Sequence, residues 1–149
     1  MMAMKVFPTK GLVIKEVKVG EGNKILTVLT PGLGKIQASA SGVRSYKSKL
    51  SAGCSLFGFS DFVLKQGKNI YNISSAENIN NFYNIRTDIH KLSLATYFCD
   101  LICEVATTEQ EATGILKLAL NALYFIDKSD NLELIKPVFE LRLMLEAGF

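Results

Sequence analysis

The 149-residue sequence has one histidine, three cysteines and no apolar run long enough to span a membrane. Its N-terminus, MMAMKVFPTK, lacks the apolar segment of a secretory signal peptide. The odd and sparse set of cysteines (Cys54, Cys99 and Cys103) suits reduced thiols better than a disulfide framework. These absences argue against a membrane-spanning or disulfide-rich secreted protein, and we expect a cytoplasmic one.

The sequence also lacks the constellations that are typical of enzymes. His90 lies beside Asp88 near a predicted helix start, where a surface role is more typical than catalysis. Cys99 and Cys103 could share a metal with His90, but small thiols on a leucine-rich helical stripe are more often core residues. A nucleophile elbow, a paired-acid motif and HExxH are missing. We therefore expect no enzymatic activity, no cofactor and no bound metal.

Charge is distributed unevenly along a chain that is 48% apolar and carries a net charge of +3. Residues 1–77 contain eleven Lys or Arg and four acids, whereas residues 78–149 contain six and ten. This asymmetry favours two modules, the first of which contacts a polyanion. The alternative is a solvated basic face with no partner.

The first half predicts a small closed or nearly closed β-barrel. Apolar and β-branched runs predict strands over residues 11–18, 25–30, 35–40, 56–65 and 69–74. The sequence PGLG at residues 31–34 is typical of a hairpin turn, and Gly58 would permit sharp coiling of the fourth strand. Phe57 and Phe59 fall on one face of that strand and are predicted to lie in the barrel core.

The second half predicts about three helices. Apolar stripes with helical spacing begin at residue 88 and continue through residues 109–126 and 132–147. The polar stretch 75–84 is the predicted boundary between the two modules. The fold class is therefore α+β in two parts, a β-barrel followed by a helical segment.

Three basic residues surround a tyrosine in GVRSYKSKL, residues 42–50, with serines between them. Cations neutralise phosphates and an exposed aromatic ring can stack on an unpaired base. The alternative is a polar loop with its tyrosine packed beneath. Lys35, at the end of the predicted hairpin, could also contact a phosphate. The residues predicted to contact nucleic acid are Lys24, Lys35, Arg44, Tyr46, Lys47 and Lys49.

Three runs of the sequence resemble the N-terminal domain of RecO, a bacterial recombination mediator of the RecF pathway. They are TKGLVIK (residues 9–15), GEGNKILTVLTPGLGKI (20–36) and ASGVRSYKSKL (40–50). FELRLMLEAGF (139–149) is similar to the helical domain of that family. The resemblance implies an OB-fold nucleic-acid-binding domain over residues 1–78 and a helical domain over residues 79–149.

The resemblance also implies a function. RecO proteins bind single- and double-stranded DNA, anneal complementary strands, and act with RecR to load recombinase onto strands coated by single-strand-binding protein. Lys35 and Arg44 match basic positions of the family's barrel, and Lys47 and Lys49 fall in its basic loop. Ser41 departs from the family, which commonly has lysine there. The expected location is the cytoplasm, in association with the nucleoid.

RecO proteins continue into a zinc module and further helices, so we expect this chain to be a fragment with an incomplete helical domain. Apolar surface should then be exposed on the last two helices, which favours self-association or disorder there. The rival hypothesis is a protein-docking module that binds RecR, or the acidic tail of single-strand-binding protein, with little DNA affinity. A docking module should not respond to an added oligonucleotide.

Overall fold

The computed structural model describes residues 6–41, 50–108 and 110–148. Within these ranges, five strands precede four helices, which confirms the predicted order of barrel and helical segment and adds one short helix. The strands are β1 (Val6–Val19), β2 (Asn23–Thr30), β3 (Gly34–Ala40), β4 (Phe59–Gln66) and β5 (Tyr71–Asn80). The helices are α1 (Tyr83–Arg86), α2 (Ile89–Val105), α3 (Thr113–Lys128) and α4 (Ile135–Glu146).

The strands close into an OB-like barrel in the order β1-β2-β3-β5-β4, with β4 pairing back to β1. All the paired strands are antiparallel except β3 and β5, which run parallel. In that parallel pair, Ala38 lies opposite Tyr71 and Ser39 lies opposite Asn72. The predicted small barrel is therefore confirmed, and a short parallel pairing of β3 with β5 closes it.

Strand β1 contributes to two apolar cores by ordinary alternation, and a β-bulge at Ile14 then shifts its register. The register steps from Val13↔Val28 to Lys15↔Thr27, so Ile14 has no partner on β2. Val13 belongs to the barrel interior, whereas Ile14 belongs to a cluster that includes the helices. Because side chains of a regular strand alternate between faces, the extra residue resets which face the following side chains occupy.

The barrel interior and the barrel–helix interface each form a buried cluster. The interior includes Leu26, Ile36 and Phe62. The barrel–helix core joins Leu29 of β2 and side chains of β1 to apolar residues of the helices, among them Phe98, Ile102, Leu123 and Phe139. The acidic half of the chain therefore packs on the basic half through a shared apolar core.

The fifth strand, predicted over residues 69–74, extends into the stretch 75–84, which is the predicted boundary between the two modules. Strand β5 continues to Asn80, and Phe82 is buried in the barrel–helix core immediately before α1. Most polar residues of this stretch are exposed, which explains why the sequence predicts an earlier end of the strand. The predicted division after residue 78 lies within that strand.

Phe57 also differs from its prediction. It has a left-handed backbone, with φ of 67°, and precedes β4, which begins at Phe59 rather than at residue 56. Its side chain is buried in the barrel–helix core and not in the barrel interior. The turn is held by hydrogen bonds between Val13 and the segment, from the Phe57 N–H to the Val13 carbonyl and from the Val13 N–H to the Gly58 carbonyl.

Asp88 is the N-cap of α2, and its carboxylate accepts hydrogen bonds from the main-chain N–H groups of His90 (2.9 Å) and Lys91 (3.3 Å). These hydrogen bonds lower the pKa of Asp88. A lowered folded-state pKa means that the carboxylate stabilises the fold above its unfolded-state pKa. This contribution is lost as the pH falls through the folded-state pKa.

We therefore expect Asp88→Ala to lower the melting temperature at about pH 7, with the difference from the parent narrowing toward about pH 3. Thermal unfolding followed by circular dichroism across this range measures the effect. Asp88→Asn is the control, because it keeps an N-cap acceptor without the titrating charge. A constant difference between parent and Asp88→Ala at all pH values would contradict the assignment.

Cys54 and Cys99 are buried and Cys103 is half-buried, and all three are free thiols. Cys99 packs in the barrel–helix core, as the helical stripe predicts. Among the described residues, the structure has no helix whose length and hydropathy would allow it to cross a membrane.

Candidate nucleic-acid interface

A groove of about 530 Å³ lies on the outer face of the barrel, between strands β1–β3 and the β4–β5 loop. We call it the barrel groove. Its lining residues are Lys15, Val17, Ile25, Thr27, Lys35, Ile36, Gln37, Asn69, Ile70, Tyr71, Cys103 and Thr108. OB-folds bind oligonucleotides on the face of their second and third strands and at the loop between their fourth and fifth strands. The groove has this position.

Strand register explains why these side chains meet. Lys15 pairs with Thr27 on β2, and Thr27 pairs with Gln37 on β3, so the three form one row across the sheet. Ile25 of β2 pairs with Val17, which gives a neighbouring apolar row. Because paired residues project from the same face, the register builds a polar row beside an apolar floor.

Lys35 lies where the groove meets helix α2. Its ammonium group donates a hydrogen bond to the main-chain carbonyl of Cys103, in the last turn of that helix. Its main-chain N–H donates to the Thr107 carbonyl at 3.1 Å. A cation is favoured beside the C-terminal carbonyls of a helix, which carry partial negative charge. The lysine side chain is therefore held at the groove by the helical half of the chain.

The groove is electropositive. Burial raises the pKa of the Cys103 thiol, and the positive charges of Lys35 and Lys15 oppose that rise, so both lysines act on one thiol in the groove. None of the described residues that line the groove is acidic. The amide side chains of Gln37 and Asn69 add neutral donors and acceptors. This combination suits a phosphodiester whose bases lie against an apolar surface.

Two of the lysines predicted to bind DNA are described in the structure, and they lie in different places. Lys35 lines the groove, whereas Lys24 forms an ion pair with Glu16 at 2.9 Å and leaves 13% of its side chain exposed. Lys24 also acts electrostatically on Cys54, whose pKa is raised to about 11 by burial. Lys24 thus lies beside the barrel interior rather than in the groove, and its role in DNA binding stays a prediction.

The other four predicted site residues fall outside the described part of the chain. They are Arg44, Tyr46, Lys47 and Lys49. In sequence they lie between Ser41, which directly follows β3, and Leu50. Their assignment to DNA binding stays a prediction.

Sequence reasoning missed Lys15, Gln37, Asn69 and Tyr71 as groove residues. Lys15 and Gln37 are exposed and lie next to buried residues of their strands. Such a pattern indicates that a side chain faces outward, but it does not indicate which residues of other strands lie beside it. Tyr71 opens β5 and packs edge-on against Phe7, with ring centroids 5.9 Å apart. Alternation along β3 places Gln37 on the same face as Lys35, whereas Lys15 joins them through the strand register, which the bulge in β1 shifts.

Comparison with known proteins gives a consistent result along the chain. Residues 4–82 match the family model for the N-terminal part of recombination protein O, and residues 86–149 match the model for its C-terminal part. The chain is 42% identical over 147 residues to a DNA repair protein RecO of Acetivibrio thermocellus, covering 98% of this chain and 59% of that protein.

Two further relatives carry the same name. The chain is 37% identical over 146 residues to the protein of Caldicellulosiruptor bescii, covering 98% of this chain and 60% of that protein. It is 35% identical over 143 residues to the protein of one Dehalococcoides mccartyi strain, covering 96% of this chain and 56% of that protein. The chain therefore spans somewhat over half the length of these curated relatives.

Proposed function

The chain belongs to the RecO family, and from this premise we propose that it binds DNA through the barrel groove and serves in recombinational DNA repair. The observation that carries the proposal is the groove itself. Two lysines, Lys15 and Lys35, lie beside an apolar floor at the position where OB-folds take up oligonucleotides. The relatives are named as DNA repair proteins, which supports the same role.

The proposed mechanism is electrostatic and includes no covalent chemistry. Cations on the barrel neutralise backbone phosphates, which lowers the repulsion between two complementary strands and releases their counterions. Base pairing then supplies the sequence specificity of annealing. The same surface would accept single- and double-stranded DNA because phosphates, rather than base edges, provide most of the attraction. Loading of recombinase, together with RecR and single-strand-binding protein, is the cellular step that we propose this annealing serves.

A second candidate function is docking of an acidic protein tail, such as that of single-strand-binding protein. A groove of about 450 Å³ lies between α3 and α4, lined largely by apolar side chains and by Arg142. Phe125, Leu134 and Val138 contribute to it and are more than half exposed. An apolar groove with one guanidinium suits a peptide that combines apolar side chains with carboxylates. Self-association through this surface also stays a prediction.

DNA binding is tested by fluorescence anisotropy of a labelled single-stranded oligonucleotide over a salt series. We expect affinity to fall steeply with salt, because each neutralised phosphate of a single strand contributes roughly 0.7 to the logarithmic slope. The variant Lys35→Ala/Arg44→Ala/Lys47→Ala/Lys49→Ala should bind more weakly and with a shallower slope. Circular dichroism establishes that both proteins are folded.

The two candidate functions give different results. If a folded parent protein does not bind the oligonucleotide at low salt, the DNA-binding proposal is wrong. Binding of an acidic peptide to the same preparation would then favour docking at the α3–α4 groove. A parent that binds DNA with no dependence on salt would contradict the electrostatic mechanism.

A further inference from the structure

We propose that the helical half controls the DNA affinity of the barrel groove, because it positions Lys35 and forms one wall of the groove. This inference rests on the proposed DNA binding. The relevant segment is the connector between α2 and α3, described at residues 106–108 and 110–112. This connector lies against the β2–β3 hairpin. Helix α2, which precedes it, and the barrel, which it contacts, both contribute lining residues to the groove.

Main-chain contacts hold the connector to the hairpin. The Lys35 N–H donates to the Thr107 carbonyl at 3.1 Å, and the Ala112 N–H donates to the Pro31 carbonyl at 2.9 Å. An antiparallel bridge joins Gly34 to Thr108 between these two hydrogen bonds. The connector therefore extends the sheet beside the groove and places Thr108 in its wall.

Gly34 permits this close approach. Its backbone has φ of 69°, a left-handed conformation that glycine adopts without steric cost. A Cβ at this position would overlap the carbonyl oxygens of Thr107 and Gln110, both of which are main-chain atoms of the connector. Any other residue would therefore strain the hairpin and push the connector away from it.

The hydrogen bond of the Lys35 ammonium group couples the position of helix α2 to the barrel groove. The N–H of the C-cap residue Ala106 donates to the Ile102 carbonyl, and the next carbonyl, that of Cys103, accepts a hydrogen bond from Lys35. An ammonium group has three donors, and one contact leaves the others for a phosphate. The side chain is thus ordered before a ligand arrives, which reduces the entropy that binding must remove.

Coupling of this kind is reciprocal. If docking of the connector raises the affinity for DNA, then bound DNA must stabilise docking of the connector by the same factor. Acidic residues are in excess in the helical half. This half would therefore raise DNA affinity by positioning Lys35 and shaping the groove, and not through its own charge. Loosening the connector should therefore lower affinity without changing the number of phosphates neutralised.

The test compares Gly34→Ala with Gly32→Ala, two changes of the same size in one hairpin. A Cβ on Gly32 would meet no atom within 4 Å, so this control should leave the connector in place. The probe is a labelled oligothymidylate of about 16 nucleotides, the upper end of OB-fold site sizes. We expect Gly34→Ala to bind it about fivefold or more weakly, at the lower end of typical couplings, with an unchanged salt slope.

Hydrogen exchange on the parent protein provides an independent measurement if Gly34→Ala does not fold. Added oligothymidylate should increase protection of the Lys35 and Ala112 main-chain N–H groups. Failure of the parent to bind overturns both the DNA-binding proposal and this inference. If the parent binds, equal or tighter binding by folded Gly34→Ala overturns the inference alone, as does unchanged protection of the two N–H groups.

Discussion

The double variant Lys15→Glu/Lys35→Glu is expected to lose about two orders of magnitude in affinity for single-stranded DNA. Each reversal replaces an attraction to a phosphate with a repulsion, a change of about 2 kcal/mol for an exposed contact at 4 Å before salt screening. Two such contacts in one groove would exceed a hundredfold, and screening at physiological salt reduces the effect to roughly that value. Anisotropy titrations at two salt concentrations measure it.

The matched control is Lys65→Glu/Lys117→Glu, which makes the same change in net charge at two exposed lysines that do not line the groove. Its affinity should fall by a much smaller factor, because charges beyond a Debye length are largely screened. Lys15→Glu alone leaves the contact between Lys35 and α2 intact and should account for about half of the loss on a logarithmic scale. Equal losses in the two double variants would move the DNA site away from the barrel groove.

The largest effect on stability is expected from Phe62→Ala, which should lower the free energy of unfolding by about 3–5 kcal/mol. Phe62 is 1% exposed in the barrel interior, where it packs beside Val28 and over Gly11. Removing the ring leaves a cavity inside a closed sheet, and the paired strands around it have little freedom to collapse. Urea unfolding followed by circular dichroism measures this change in free energy through the shift of the transition midpoint.

Phe125→Ala is the matched control, since it removes the same ring from a position that is 58% exposed. Its effect should stay within about 0.5 kcal/mol, as for most surface substitutions. A small effect of Phe62→Ala, or similar effects of the two variants, would contradict the assignment of Phe62 to the barrel core.

The sequence predicts the barrel well because its strands carry strong local signals. Alternation, β-branched residues and the PGLG turn mark β2 and β3, and the structure confirms both strands and the hairpin between them. The helical stripes likewise predict α2, α3 and α4 within a few residues of their observed ends. These features depend on neighbours in the chain, which a single sequence displays directly.

The misplaced features depend on distant parts of the chain. Phe57 reads as a strand residue, yet its left-handed backbone carries the ring across to the helices, where hydrophobic burial is completed by Phe98 and its neighbours. The asparagine-rich end of β5 is not predicted as a strand because its composition is weak for a strand, yet it forms one because it pairs with β4. Both outcomes are decided by tertiary contacts rather than by local propensity.

Among the described residues that line the groove, only one is predicted from the sequence. Lys35 is identified from its position after a glycine-rich turn, and the structure places it in the groove. Gln37 lies two residues after Lys35 on β3 and shares its outward face, whereas Lys15 lies on β1, and its outward position in the groove requires the bulge at Ile14. A one-residue change in register moves every following side chain to the opposite face, so the groove is not encoded by any continuous segment.

The shared core has a consequence for dissecting this chain into pieces. The two family models meet between residues 82 and 86, which invites cutting the polypeptide there. Such a cut would leave Leu12, Ile14 and Leu29 of the barrel facing water, because their covering side chains belong to the helices. A barrel prepared alone would expose an apolar surface beside the barrel groove. Deletion analysis that assigns activities to separate halves would then measure aggregation as well as function.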